Sequence, residues 1–280
     1  MPKMKAAIFS NDVSWIPDGH VIDKVYANGR REQLAELTEL YPEIITSENM
    51  DAHLDRIQDI EVIFSTWGML VLDESQVRKL PSLKALFYAA GETGYFRTPF
   101  VECGVTVCSA TAANAVPVAE FALAQVLLAG AGYFRNSRAC VDAWHAEKSN
   151  NAIGPGNYGG RVSILGNGAI SNELQKFLSA HHLDVVVVPS RAENRTVSLE
   201  EAFATSFAVV NLFPDRDDNA DVLNGGLFER MGEGSVFINV GRGRQVNEDD
   251  LVRIMKVRPK IVIANPYRVR FFHFTPILRQ

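Results

Sequence analysis

The sequence predicts an α/β chain made of two doubly wound parallel-sheet domains, and three observations carry that reading. Short apolar runs alternate with helix-like stretches along the 280 residues, the order that β/α units require. The runs are apolar at consecutive rather than alternate positions, as in Asp184-Val-Val-Val-Val188, so both faces of each sheet are covered. Finally, Val162, Ile164 and Leu165 lead into Gly166-Asn-Gly168, after which Ile170, Leu174, Phe177 and Leu178 recur at helical spacing. The length suits two domains of ordinary size, and the division falls between residues 1–109 and 110–280, with 260–280 an atypical tail.

In chain order, Ala6–Phe9 is the first strand and Arg31–Leu40 a helix, with Leu34, Leu37 and Leu40 on one face. Glu61–Ser65 is a strand, Asp73–Leu80 a short helix opened by acidic residues, and Leu83–Tyr88 and Val105–Cys108 are further strands. Ala110-Thr-Ala-Ala-Asn114 opens a long apolar helix, with Thr111 or Asn114 as its cap and Pro117 in its first turn. It is apolar on most sides and needs cover from the domain, a partner subunit or both. A loop over Ser149–Gly160 delivers the chain to the glycine turn. Beyond it come a strand at Asp184–Val188, a helix start at Ser198 and a strand at Phe207–Pro214. A short helix at Gly226–Met231, a strand ending in Gly241-Arg-Gly243 and a helix at Asn247–Lys256 complete the second round. Only Arg191–Ser198 separates the Asp184–Val188 strand from the next helix, so this sheet lacks an element.

Composition narrows the function classes. A net charge of −5 opposes general nucleic-acid binding, which needs a basic face. Cys103, Cys108 and Cys140 are odd in number and form no C-x-x-C pair, which fits a reducing cytoplasm and gives no metal site. Met-Pro-Lys-Met-Lys5 leads straight into a strand without a signal-peptide core. The most apolar segment, Val116–Gly132, carries Glu120 and Gln125 and falls short of a membrane span of about 20 residues. The expectation is a cytoplasmic protein with no membrane contact.

The glycine turn carries the chemistry. Strand, tight turn and helix N-terminus aim backbone N–H groups and the positive end of a helix dipole at a phosphate. Gly166 permits the turn and Gly168 lets a pyrophosphate approach the backbone. Ser171 stands where the third glycine of G-x-G-x-x-G would be. At the end of the next strand, Pro189-Ser190-Arg191 replaces the acidic residue that an NAD site offers to ribose hydroxyls. A hydroxyl and a guanidinium there suit a 2′-phosphate, so NADP is favoured over NAD.

Four ordered blocks resemble the D-isomer-specific 2-hydroxyacid dehydrogenase family, from about Val62 to Pro259. They are Leu83-Lys-Ala-Leu-Phe-Tyr-Ala-Ala-Gly91, Asn114-Ala-Val-Pro-Val-Ala-Glu-Phe121, Gly166-Asn-Gly-Ala-Ile-Ser171 and Leu227–Gly243. The resemblance implies a flavodoxin-like substrate domain, a Rossmann-type nucleotide-binding domain, and hydride transfer between NAD(P) and C2 of a small 2-hydroxy or 2-keto acid. By the same resemblance Arg242 grips the substrate carboxylate, while Ala90, Gly91 and Glu92 offer it backbone N–H groups. Ala169 and Ile170 meet the pyrophosphate, Leu212, Phe213 and Pro214 flank the adenosine, and Val240 and Gly241 approach the nicotinamide. The apolar helix makes a homodimer the expected assembly.

The family pattern then breaks. Its Asp near the nicotinamide, its Glu-Pro pair and its Pro-His pair have no counterpart after Arg258-Pro259. The change of composition there reads as a truncated or shifted frame near Lys260. Thr275-Pro276-Ile277 has Ile in the His place, and His273 stands in the wrong context. A relative that binds cofactor but lacks the acid/base, and is catalytically impaired, is therefore the alternative.

Overall fold

Ala6, Ala7, Ile8 and Phe9 are fully buried, as suits β1 (Met4–Phe9), an interior strand of the first sheet. The computed structural model describes residues 2–13, 21–139, 156–257 and 262–264. It divides into two units, Met1–Asn114 and Ala115–Gln280.

In the first unit β1, β2 (Thr38–Ile45), β3 (Val62–Ser65), β4 (Ala85–Tyr88) and β5 (Thr106–Ser109) form a parallel sheet in the order β2-β1-β3-β4-β5. The connections carry α1 (Val21–Val25), α2 (Arg30–Leu37), α3 (Met50–Ile57), α4 (Glu74–Val77) and α5 (Arg97–Glu102). Phe9, Ile63, Leu86, Phe96 and Phe100 lie in one apolar core. Asp73 starts α4 with a capping box, its carboxylate accepting from the Gln76 N–H while the Gln76 side chain accepts from Asp73 N–H.

The helix expected over Arg31–Leu40 ends at Leu37 instead. Thr38 turns extended, at φ −130° and ψ 163°, and its hydroxyl donates to Leu34 O at 2.7 Å. From there Thr38–Ile45 pairs in parallel with β1, so Leu40 belongs to a strand. Three leucines at helical spacing gave way to the open edge of a sheet, a tertiary demand that local periodicity does not carry.

The apolar helix, α6 (Thr111–Gly130), runs longer and starts earlier than expected. Pro117 lies inside it rather than in its first turn. Neither proposed cap acts as one: the Thr111 hydroxyl bonds to Gly91 O, and Asn114 N–H already donates to Ala110 O. At 20 residues the helix is long and apolar enough to cross a membrane by length and composition, contrary to the sequence expectation. Ala119, Ala122, Val126 and Ala129 nonetheless pack into a core with Val162, Ile164 and Leu174. That is the small-residue stripe of a helix laid on a sheet. The face carrying these alanines is buried, while Val116 and Phe121 are exposed.

The second unit continues with α7 (Tyr133–Ala139), β6 (Arg161–Leu165), α8 (Ala169–Leu178), β7 (Asp184–Val188), α9 (Leu199–Thr205) and β8 (Ala208–Asn211). Then come α10 (Gly225–Phe228), β9 (Val236–Asn239), α11 (Glu248–Val257) and β10 (Val262–Ala264). The sheet is parallel with the order β10-β9-β8-β6-β7, and it repeats the winding of the first. β7 is an edge strand: the connection after it holds one short 3-10 turn, Ala192–Asn194, and no strand pairs outside it among the described residues. The short Arg191–Ser198 spacing anticipated this. β10 shows that the sheet continues to Ala264, whereas His273 and Ile277 lie outside the described residues.

Phe203, Phe228 and Phe237 form an aromatic cluster with ring centroids 5.1–6.0 Å apart, all fully buried. Phe237→Ala should cost about 3–5 kcal/mol by leaving a cavity between these rings. Urea unfolding followed by circular dichroism checks this, and a loss below ~1 kcal/mol would contradict the packing.

Candidate functional site

Parallel strands place every strand-to-helix turn at one edge of the sheet, where ligands of such folds gather. In the second unit that carboxyl edge collects Gly166, Gly168, Ala169 and Ile170 after β6 and Ser190 and Arg191 after β7. Leu212, Phe213 and Pro214 follow β8, and Val240, Gly241 and Arg242 follow β9. All the candidate cofactor residues, and Arg242, therefore stand on one edge of one sheet.

The turn after β6 is tightly constrained. Gly166 has φ +117°, donates to Val188 O at 2.8 Å, and lies so near the next loop that a Cβ would come within 2.6 Å of Leu212 O. Only glycine meets both conditions. Gly168 caps α8 in extended geometry; no side chain caps that helix, and a Cβ at Gly168 would meet nothing within 4 Å. The helix thus presents uncapped N–H groups to open space, the arrangement that receives an anion. Ser171, in the third glycine's place, fits by being buried, with its hydroxyl accepting from the Gln175 side chain at 3.2 Å.

The loops after β8 and β9 are fixed by side chains the sequence reading did not single out. Asn211, Asn239 and Gln245 are nearly fully buried. Asn211 Nδ2 donates to Asn239 Oδ1 at 2.9 Å and to Gln245 Oε1 at 2.7 Å. Asn211 Oδ1 accepts from Phe213 N–H, Asn239 Oδ1 from Gly241 N–H, and Gln245 Oε1 from Arg242 N–H. Gln245 Nε2 donates to Phe213 O and Pro214 O. Gly241 is required because a Cβ there would lie 2.4 Å from Gln245 Oε1. The signal was polar residues ending otherwise apolar strands, at Asn211 and Asn239. Phe213 and Val240 turn their side chains into the cores, so only their backbone faces the edge.

Arg242 is about half exposed, with its Nε 3.9 Å from Asp215 Oδ2. Arg244 holds the same carboxylate by a hydrogen bond and reaches Asp217 Oδ1 at 3.0 Å. Arg242 therefore has a charge partner at the outer limit of an ion pair, leaving a guanidinium able to take a carboxylate through two parallel bonds. After β7, Ser190 is half-buried and Arg191 exposed. Arg195, also missed, ties this loop down: its guanidinium donates to Pro189 O at 2.9 Å and Ser190 O at 2.7 Å and lies over the Phe213 ring. Arg216 grips Asp218 through two bonds and holds its carboxyl below the usual range, with a smaller pull from Arg191.

In the first unit, Ala90, Gly91 and Glu92 follow β4 at that sheet's own carboxyl edge. The Gly91 and Glu92 N–H groups have no acceptor among the described residues. The Glu92 carboxylate accepts from Gly94 N–H. Beside this loop the Tyr88 and Tyr95 hydroxyls meet at 3.2 Å, and burial pushes the Tyr88 hydroxyl far above its ordinary range, so it keeps its proton. No group of His, Cys, Asp and Glu suited to a metal occurs among the described residues.

Residues 124–260 match the family model described as D-isomer specific 2-hydroxyacid dehydrogenase, NAD binding domain. An uncharacterized protein in the proB 3′ region of Corynebacterium melassecola is 29% identical over 99 residues, 32% of this chain and 33% of that protein. The match thus spans about a third of that curated relative's length. Among solved structures, apo D-mandelate dehydrogenase of Rhodotorula graminis superposes with TM-score 0.73 at 20% identity, covering 100% of this chain and 84% of the other. An acyclic imino acid reductase in complex with NADPH and D-Arg gives TM-score 0.66 at 15% identity, covering 94% and 84%. At these identities the two structures establish a shared fold.

Gln245→Leu should leave the buried Phe213 carbonyl without a donor and take one acceptor from the buried Asn211 amide. The expected loss is about 1–3 kcal/mol for each buried group left unpaired. Urea unfolding measures it, and a variant as stable as the parent would show that the network does not hold these loops.

Proposed function

We propose that this protein is an oxidoreductase that moves a hydride between a nicotinamide dinucleotide and C2 of a small 2-hydroxy or 2-keto acid. The observation that carries the reading is the open, uncapped N-terminus of α8 behind Gly166 and Gly168, inside the segment matched to an NAD-binding domain. The residues present suit the cofactor: Gly168 leaves space for a diphosphate, and Ala169 and Ile170 supply N–H groups at the positive end of the helix. When bound, NAD(P) supplies the hydride carrier. Leu212, Phe213 and Pro214 flank its adenosine side, and Val240 and Gly241 its nicotinamide side.

The chain's own residues do the rest. Arg242 binds the acid's carboxylate as a planar two-pronged donor, and the Ala90–Glu92 amides serve as carboxylate ligands of the first unit. Ser190 and Arg191 favour NADP, because nothing acidic at the end of β7 repels a 2′-phosphate. We further take the protein as a cytoplasmic homodimer joined through the exposed apolar side of α6, with Val116 and Phe121 covered by the partner. Light scattering behind size exclusion tests that assembly.

A second reading, a relative that binds cofactor but turns over poorly, is favoured by the placement of histidines. Of those described, His53 lies on α3 against Tyr41 and Glu43, while His181 and His182 precede β7 at the opposite, amino edge. None stands at a carboxyl edge to exchange a proton with a substrate oxygen, help typically worth ~10²–10⁴ in rate.

NAD(P)H oxidation with glyoxylate, hydroxypyruvate and pyruvate separates the two readings. Turnover supports the first; quenching of cofactor fluorescence without turnover supports the second; absence of cofactor binding defeats both. Arg242→Gln should raise KM for the keto acid by roughly tenfold or more while leaving the Kd of the reduced cofactor unchanged. Arg191→Ala should narrow the preference for NADPH over NADH, and an enzyme that prefers NADH from the outset would reject the NADP assignment.

A further inference from the structure

The loop after β4 is held from behind by the start of α6. Ala110 N–H donates to Tyr88 O and to Ala90 O, each at 3.0 Å, and the Thr111 hydroxyl donates to Gly91 O at 3.0 Å. The Ser109 and Thr111 hydroxyls are 2.8 Å apart. A hydroxyl has one hydrogen. Since that of Thr111 goes to Gly91, Ser109 is the donor of the pair, and the two form a short relay ending on the Gly91 carbonyl.

This relay fixes more than a carbonyl. The described peptides include no cis bond, and in a trans peptide C=O and N–H point in opposite directions. Anchoring Ala90 C=O and Gly91 C=O toward Ala110 and Thr111 therefore turns the N–H groups of Gly91 and Glu92 away from them, side by side. Two consecutive amides facing one way, with no acceptor among the described residues, form a concave donor site for an anion. The Asn114 side-chain amide borders it: a Cβ on Gly91 would lie 3.1 Å from Asn114 Nδ2.

We infer that Thr111 is a positioning residue for carboxylate binding: its hydroxyl, supported by Ser109, holds the Gly91–Glu92 peptide so that its amides face the substrate's carboxyl group. The inference rests on the dehydrogenase reading above. Thr111 makes no substrate contact in this scheme; it acts through one peptide plane. Ser109 and Thr111 are both exposed, so the hydrogen bond contributes little to overall stability, and its loss is read in ligand affinity rather than in folding.

Calorimetry of the full chain, loaded with reduced cofactor and titrated with oxamate as a carboxylate probe, tests this. Thr111→Val keeps the shape and removes the donor; it should weaken oxamate roughly three- to tenfold. The Kd of the cofactor and the melting temperature should stay as in the parent. Where turnover is measurable, KM for the keto acid rises and kcat holds. Thr111→Ser restores the donor and should restore affinity. Parent-like oxamate binding by Thr111→Val, or failure of Thr111→Ser to rescue, overturns the inference alone. A parent chain that binds reduced cofactor but no oxamate overturns the substrate reading, and the inference falls with it.

Discussion

The constraint on which the second unit depends is the knot of buried amides formed by Asn211, Asn239 and Gln245. Two parallel strands, β8 and β9, end side by side, and the loops leaving them carry backbone N–H and C=O groups that no sheet ladder can satisfy. Buried without partners, each such group would cost on the order of 1–3 kcal/mol. The three side chains meet that demand at Phe213, Pro214, Gly241 and Arg242. In doing so they set the position of the backbone from which Arg242 departs.

The same edge shows why its glycines stand where they do. Gly166 lies against Leu212 O, and Gly241 against Gln245 Oε1 and Asn211 Nδ2. Each marks a place where the loop of one strand crosses close to that of a neighbour. The turn after β6 is therefore locked to the loop after β8, and that loop to the one after β9. The Gly166 turn, the Leu212–Pro214 loop and the backbone at Arg242 share one support rather than standing as three independent loops.

Much of this was legible in the letters, and the remainder was hidden for physical reasons. The glycine turn and the continuous apolar strands are local signals, and they predicted the parallel winding and the α8 N-terminus. That no strand follows β7 directly was legible in the spacing alone, since Arg191–Ser198 has no room for one. β2 was misread because Leu34, Leu37 and Leu40 keep helical spacing; what ends α2 is the vacancy beside β1, a partner far along the chain. The start of α6 was misplaced because Thr111, a good capping type, spends its hydroxyl on Gly91. The amide knot showed in the letters only as Asn211 and Asn239 ending apolar strands; that Gln245 joins them depends on its contact with Asn211, 34 residues away, which no local pattern carries.

The shortened side of the second sheet brings these points together. No strand pairs outside β7 among the described residues, and Arg195 restrains the loop at Pro189–Arg191 through its bonds to the Pro189 and Ser190 carbonyls. That commits the Arg195 charge to the backbone and leaves Arg191 as the exposed cation of the loop. Asp218, on which Arg191 exerts a small electrostatic pull, is held by two hydrogen bonds from Arg216. Asp218 is thus paired independently of Arg191. An arginine at this position is available because its neighbour anchors the loop and its acidic neighbour is already satisfied.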